Sequence, residues 1–167
     1  MIVYNAEPLD YSKTAIKLWK NKGYIYQSGS WEEINSTPSF PKVSILIVRL
    51  EKKVDKKILE KFPGLIYLIS ATTGQDHIDI KAIKNSTIKL LTLKDHTNFL
   101  HSIPSTAEHT WALLMALMRN IVKAHESVNK GYWNRNEFRG NQLYNKSIGV
   151  VGLGRIGREV IKRALSF

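Results

Sequence analysis

An α/β fold built on a doubly wound parallel sheet is predicted for the first hundred residues by two observations, and a third extends it. Short β-rich runs alternate with stretches of helical periodicity, and strands separated by helices close into parallel sheets through right-handed crossovers. The run Ser44-Ile45-Leu46-Ile47-Val48 is continuous enough for a strand buried on both faces. Near residue 152 a glycine-rich junction between a strand and a helix starts a second α/β unit.

The elements follow in order. Ile2 to Tyr4 is a strand, Tyr11 to Lys20 a helix with Ile16 and Trp19 on one side, and Tyr24-Ile25-Tyr26 a second strand. After the Ser44–Val48 strand, Val54 to Phe62 alternates charged and apolar residues at helical spacing until Pro63-Gly64 stops it. Leu65 to Ile69 is a fourth strand, Ile78 to Ile83 a short helix and Ile88 to Leu93 a fifth strand. Then the pattern changes. Pro104-Ser105-Thr106 opens a long helix running to about His125, with Ser105 as N-cap and Glu108 completing a capping box. Trp111 to Met118 is apolar on almost every face, which predicts burial all round, in a core or a subunit interface. A polar, aromatic loop covers Gly131 to Gln142, and Lys146 to Val151 reads as a strand leading into Gly152. Lacking parallel neighbours, that strand would leave an exposed edge and apolar surface.

Composition narrows the function classes. The apolar share of 43% suits a folded globular chain. No apolar run reaches the roughly 20 residues that span a bilayer, and the N-terminus reads as a strand instead of a signal peptide. There is no cysteine, so disulfides and thiolate metal sites are excluded. The five histidines show no metal-ligand spacing, and no metal site is expected. The net charge of +11 invites a nucleic-acid reading. The lysines are scattered, however, with only short runs such as Lys52-Lys53 and Lys56-Lys57. Solvated faces account for them, and neither a nucleic-acid nor a membrane partner is expected. A cytoplasmic setting fits best.

The chemistry-bearing motif is Gly152-Leu153-Gly154-Arg155-Ile156-Gly157, a GxGxxG between a strand and the helical stretch Arg158 to Leu165. The first glycine permits the tight turn, the second lets a pyrophosphate approach the backbone, and the third lets the helix pack closely. The helix N-terminus then offers free N–H groups to the phosphates. The acidic residue that would hold the adenosine ribose falls about 20 residues further on, beyond Phe167, so NAD is not separated from NADP by these residues.

Ligands of open α/β sheets sit beyond the carboxyl ends of the strands. Arg49 follows the third predicted strand, Ser70-Ala71-Thr72-Thr73-Gly74 the fourth, and Lys94, Asp95 and His96 the fifth. An arginine and a glycine-containing loop with free amides suit a small carboxylate. The Asp76-His77 pair is read as structural in preference to acid–base.

These segments together resemble one family. Thr72 to Asp79 looks like its TGxDHID segment, and Ser105 to Thr110 like its SVAEHT, with Thr106 where Val is usual. Gly131-Tyr132-Trp133 with Phe138-Arg139-Gly140 and Leu143 resembles its GxW…FxGxxL loop, and Lys146 to Gly157 its GKTLGIIGLGRIG. The chain is thereby identified as similar to the D-isomer-specific 2-hydroxyacid dehydrogenases, of which phosphoglycerate dehydrogenase is one. The resemblance implies a flavodoxin-like substrate domain, here 1–98, and the start of a Rossmann NAD-binding domain, here 99–167. It implies substrate-binding roles for Arg49, Thr73 and Gly74, and cofactor-binding roles for Thr106, Gly152, Gly154, Arg155, Ile156 and Gly157. It further implies a 2-hydroxy or 2-keto acid substrate and a homodimer. The family's catalytic Arg, Glu and His lie downstream of the glycine motif, so no catalytic residue is assigned in this chain. A non-catalytic NAD-sensing module of the same fold is the alternative.

Overall fold

The computed structural model describes residues 1–94 and 96–167, which divide into two compact units, Met1–Thr97 and Asn98–Phe167. In the first unit five strands, β1 (Ile2–Asn5), β2 (Ile25–Ser28), β3 (Val43–Val48), β4 (Tyr67–Ser70) and β5 (Lys89–Thr92), form one sheet in the order β2-β1-β3-β4-β5. Every pairing is parallel. This is the flavodoxin-like order, with the switch point between β1 and β3.

The helices between the strands start where side chains satisfy their first N–H groups. Ser12 caps α1 (Lys13–Asn21) by accepting from Thr14 N–H at 3.2 Å. Ser30 caps α2 (Trp31–Ser36) through Glu33 N–H at 3.2 Å. Asp55 caps α3 (Lys56–Glu60) through Ile58 N–H, and Asp79 caps α4 (Ile80–Lys84) through Ala82 N–H, both at 3.0 Å. α2 is an element the periodicity argument passed over, although Ser30 followed by Glu33 is a capping-box signature.

Strand β3 supplies both faces of the core. Leu46 and Val48 pack with Tyr4, Leu68, Trp31, Ile34, Leu59 and Phe62 on the side of α2, α3 and α4. Ile45 and Ile47 pack with Val3 and the aromatic set Tyr11, Trp19 and Tyr26 on the side of α1. Leu46 and Leu68 are wholly buried, each worth about 1.5–3 kcal/mol of transfer free energy.

The second unit holds α5 (Thr97–His101, whose first residue belongs to the first unit), α6 (Ser105–Met118), α7 (Ile121–Asn129) and α8 (Arg155–Ala164). Its core is small. Ala107, Trp111 and Val160 are buried, with Leu114, Leu143 and Ala164 against them. The Trp111 indole donates to Val160 O at 3.2 Å, and its ring stacks on Phe167 at 4.9 Å.

Four expectations are corrected in this unit. The long helix to His125 is two helices, because Asn120 adopts a left-handed conformation, φ 54°, which Asn tolerates and a helix cannot contain. Pro104, not Ser105, occupies the N-cap position of α6, without a side-chain cap bond. With Ser105 already inside the helix, Glu108 instead faces Arg163 at 3.5 Å. Burial of α6 on every face within the core of this unit is not observed: Leu113 and Leu117 are exposed in the single chain. Finally, Lys146 to Val151 forms no strand. A lone strand has no ladder to complete, and none of its backbone pairs with a β-partner among the described residues. Val150 and Val151 are correspondingly exposed.

The loop before that segment has a defined job. Asn141 N–H donates to Met118 O at 2.8 Å and the Asn120 amide donates to Arg139 O at 3.1 Å, closing the end of α6. A Cβ on Gly140 would collide with the Met118 carbonyl, so only glycine permits this approach.

Candidate functional site

The second unit carries the glycine turn. Gly152 has φ +95°, a conformation that L side chains resist. Gly154 is the N-cap of α8, and no side chain caps the helix. The amides of Arg155, Ile156 and Gly157 therefore lack intrahelical acceptors and form the positive end of a ten-residue helix. A Cβ at Gly157 would strike Gly152 O, whereas Cβ atoms at Gly152 and Gly154 would meet nothing within 4 Å. The third glycine is thus a packing requirement. The first two leave open backbone, a cradle that a phosphate can enter.

Arg155 plays a different part from the one its position suggests. Its guanidinium donates to Leu100 O at 3.1 Å and Ile103 O at 3.0 Å. It ties the turn to the carbonyl end of α5 through one guanidinium nitrogen, while its backbone N–H faces the open end of the helix. Arg158, which sequence reasoning did not single out, donates from Nε to Leu153 O at 3.2 Å and pins the turn from the other side. Ile156 is partly exposed, and Thr106 is exposed in the first turn of α6. No hydrogen bond joins Thr106 to the glycine turn; its carbonyl accepts from Thr110 Oγ1 at 2.8 Å. At the other end of α8, Arg163 binds Glu159 at 2.6 Å, which holds the Glu159 carboxyl below its ordinary range.

The first unit carries the candidate substrate residues at the carboxyl ends of its strands. Arg49 follows β3 with its side chain exposed. Its backbone N–H donates to Glu7 Oε1 at 2.9 Å, Glu51 N–H donates to Glu7 Oε2 at 3.3 Å, and the Trp31 indole donates to Glu7 Oε1 at 3.3 Å. Glu7 organises the Arg49 loop without neutralising Arg49. Nothing in its sequence neighbourhood marked Glu7, because its three donors come from distant parts of the chain.

Beyond β4 a hydrogen-bond relay fixes the loop that presents Thr73 and Gly74. Thr72 Oγ1 donates to Gly74 O at 2.8 Å, so it must accept from Ser70 Oγ at 2.9 Å. Ser70, buried, then accepts from His77 Nε2–H at 3.0 Å. His77 is thereby a donor that holds the buried Ser70 hydroxyl. Thr73 and Gly74 remain exposed on this scaffold. Asp95, named at the end of β5, lies outside the described residues. Among the described residues no cluster of His, Asp and Glu is placed to hold a metal, and no helix is long and apolar enough to cross a membrane.

A parallel α/β unit with an exposed arginine and amide loop at its strand ends, together with a glycine turn feeding an uncapped helix, is the architecture of a nucleotide-binding α/β protein. Residues 111–167 match the NAD-binding domain of D-isomer specific 2-hydroxyacid dehydrogenases. The chain is 34% identical to the D-3-phosphoglycerate dehydrogenase of Methanocaldococcus jannaschii, over 92% of the chain and 28% of that protein. It is 35% identical to the hydroxypyruvate reductase of Thermotoga maritima, over 99% of the chain and 52% of that protein. Among solved structures, a protein from Thermus thermophilus matches at a TM-score of 0.82 and 25% identity, over 99% of the chain and 53% of its own. An acyclic imino acid reductase in complex with NADPH and D-Arg matches at a TM-score of 0.75 and 27% identity, over 99% and 53%. The chain belongs to the D-isomer-specific 2-hydroxyacid dehydrogenase family. It spans about half the length of the Thermotoga relative and under a third of the Methanocaldococcus one.

Proposed function

We propose that the protein to which this chain belongs is an NAD(P)-dependent oxidoreductase acting on the CH–OH group of a D-2-hydroxy acid. The observation that carries the reading is the open glycine turn joined to an uncapped helix N-terminus. In this reading the amides of Arg155, Ile156 and Gly157 bind the pyrophosphate, with Gly152 and Gly154 clearing its approach and Thr106 near the nicotinamide. Arg155 acts through its backbone, while its side chain holds the turn in shape. Arg49 binds the substrate carboxylate through its guanidinium, helped by the amides of Thr73 and Gly74. Residues 1–98 belong to the substrate domain and 99–167 to the nucleotide domain. The bound nicotinamide supplies the hydride acceptor or donor, and this chain's residues bind and orient. Homodimerisation and a cytoplasmic setting, implied by family, belong to the same proposal.

NADH and NADPH titrations followed by nicotinamide fluorescence test it. The chain should bind at least one of the two, and Gly157→Ala should weaken that binding about tenfold or more, because its Cβ displaces the turn. A folded chain that binds neither nucleotide overturns the reading.

A further inference from the structure

The charge of one cavity runs against the rest of the molecule. The chain carries 25 Lys and Arg against 14 Asp and Glu. Yet the cavity at the carboxyl ends of β1, β2 and β3, about 720 Å³, is lined by Glu7, Glu33 and Glu51 with Arg49 as its single cation. Glu7 is occupied with the Arg49 loop and Trp31. Among the described residues neither the Glu33 and Glu51 carboxylates nor the Arg49 guanidinium enters an ion pair.

A second observation points into the same place. The Tyr4 hydroxyl is buried and lacks a partner at hydrogen-bonding geometry. It is aimed at Gly29 and Glu33, two of the lining residues, and a Cβ on Gly29 would land on both the hydroxyl and the Glu33 carboxylate. Burial, and then the negative charge and hydrogen-bonding influence of Glu33, raise the Tyr4 pKa far above the ordinary phenol value, so the hydroxyl stays neutral and its oxygen is an acceptor for a cationic N–H. The carboxylates are too dispersed to chelate a metal ion, which suits an extended organic cation. Pro8 and Leu9 add apolar wall for its stem.

We propose that this cavity is the subsite for the far end of the substrate and takes a small ammonium or guanidinium group instead of a phosphate. The inference rests on the 2-hydroxy-acid reading above. Arg49 takes the carboxylate, and Glu33 and Glu51 take the cation at the other end of the same ligand. A phosphate there would face two unpaired carboxylates, so the pocket rejects it by repulsion as well as by lacking a partner.

The test uses the full chain and three probes: 5-guanidino-2-oxopentanoate, butylguanidinium and 3-phosphoglycerate. Binding is followed at low salt by the Trp31 indole N–H resonance, which reports on the cavity wall. Butylguanidinium should shift that resonance, and the guanidino keto acid should bind about tenfold tighter than 3-phosphoglycerate. Glu33→Gln and Glu51→Gln should each narrow that preference, and Glu51→Lys should reverse it. Tighter binding of 3-phosphoglycerate, or no Trp31 response to butylguanidinium, overturns the proposal. Because butylguanidinium needs no nucleotide, its binding separates this result from the NADH titration: a chain that holds butylguanidinium but neither nucleotide keeps the pocket's chemistry and loses the dehydrogenase reading.

Discussion

In residues 1–97 the strand β3 keeps five of its six side chains buried, whereas in residues 98–167 the longest helix, α6, keeps two of fourteen. Both segments are apolar in sequence. β3 has a hydrogen-bonded strand on each side and helices over both faces. α6 meets a partner layer only along Ala107 and Trp111. Apolar composition marks what a segment can bury, and burial itself needs a second layer. Leu113 and Leu117 have the right side chains and no layer over them among the described residues.

Paired truncations in the two regions should give the largest contrast. Leu46→Ala removes a wholly buried side chain from the middle of the sheet and should cost about 2–5 kcal/mol in urea unfolding. Leu117→Ala, at 74% exposure, should change stability by less than about 0.5 kcal/mol. Equal costs would mean that α6 is covered in solution, by a second copy for instance, and would break the comparison.

A smaller effect is expected at the relay beyond β4. His77→Ala leaves the buried Ser70 oxygen without its donor, costing about 1–2 kcal/mol. Amide hydrogen exchange of residues 71–76 should rise while that of β3 stays slow. Unchanged exchange would show that the relay does not hold the loop.

The smallest effect belongs to α8. The Glu159 pKa is lowered from 4.5 by its bond to Arg163. A depressed folded-state pKa contributes stability above the unfolded value and loses it as pH falls through the folded one. Helical signal from the second unit should therefore decline below about pH 4.5 in the parent chain, and Glu159→Gln should flatten that decline. About a third of each side chain is open to solvent, so screening keeps the change modest.

Sequence reading succeeded where the signal was local and repeated. The parallel sheet, its five strands and the glycine turn all announce themselves through short-range patterns such as Ile45-Leu46-Ile47-Val48 or Gly152 to Gly157. It failed where the outcome depends on a partner elsewhere. Val150 and Val151 have strand propensity and, among the described residues, no strand to pair with. Glu7 looked ordinary because its donors, Trp31, Arg49 and Glu51, are brought to it only by folding. Arg155 carried a motif position, yet its side chain serves two carbonyls some fifty residues earlier in the chain. The break at Asn120 turns on a single backbone conformation that a hydrophobic pattern does not encode.

The strand order has a consequence for how such a chain is made. β1 is translated before the other four strands but lies between β2 and β3, so it stays half-paired until Val48 has been synthesised. During that interval an apolar ribbon emerges from the ribosome with one edge open, and its safety depends on how soon β3 arrives. Slowing translation between residues 29 and 42 would lengthen that exposure, and lost yield would follow from timing alone, with every contact of the finished fold intact.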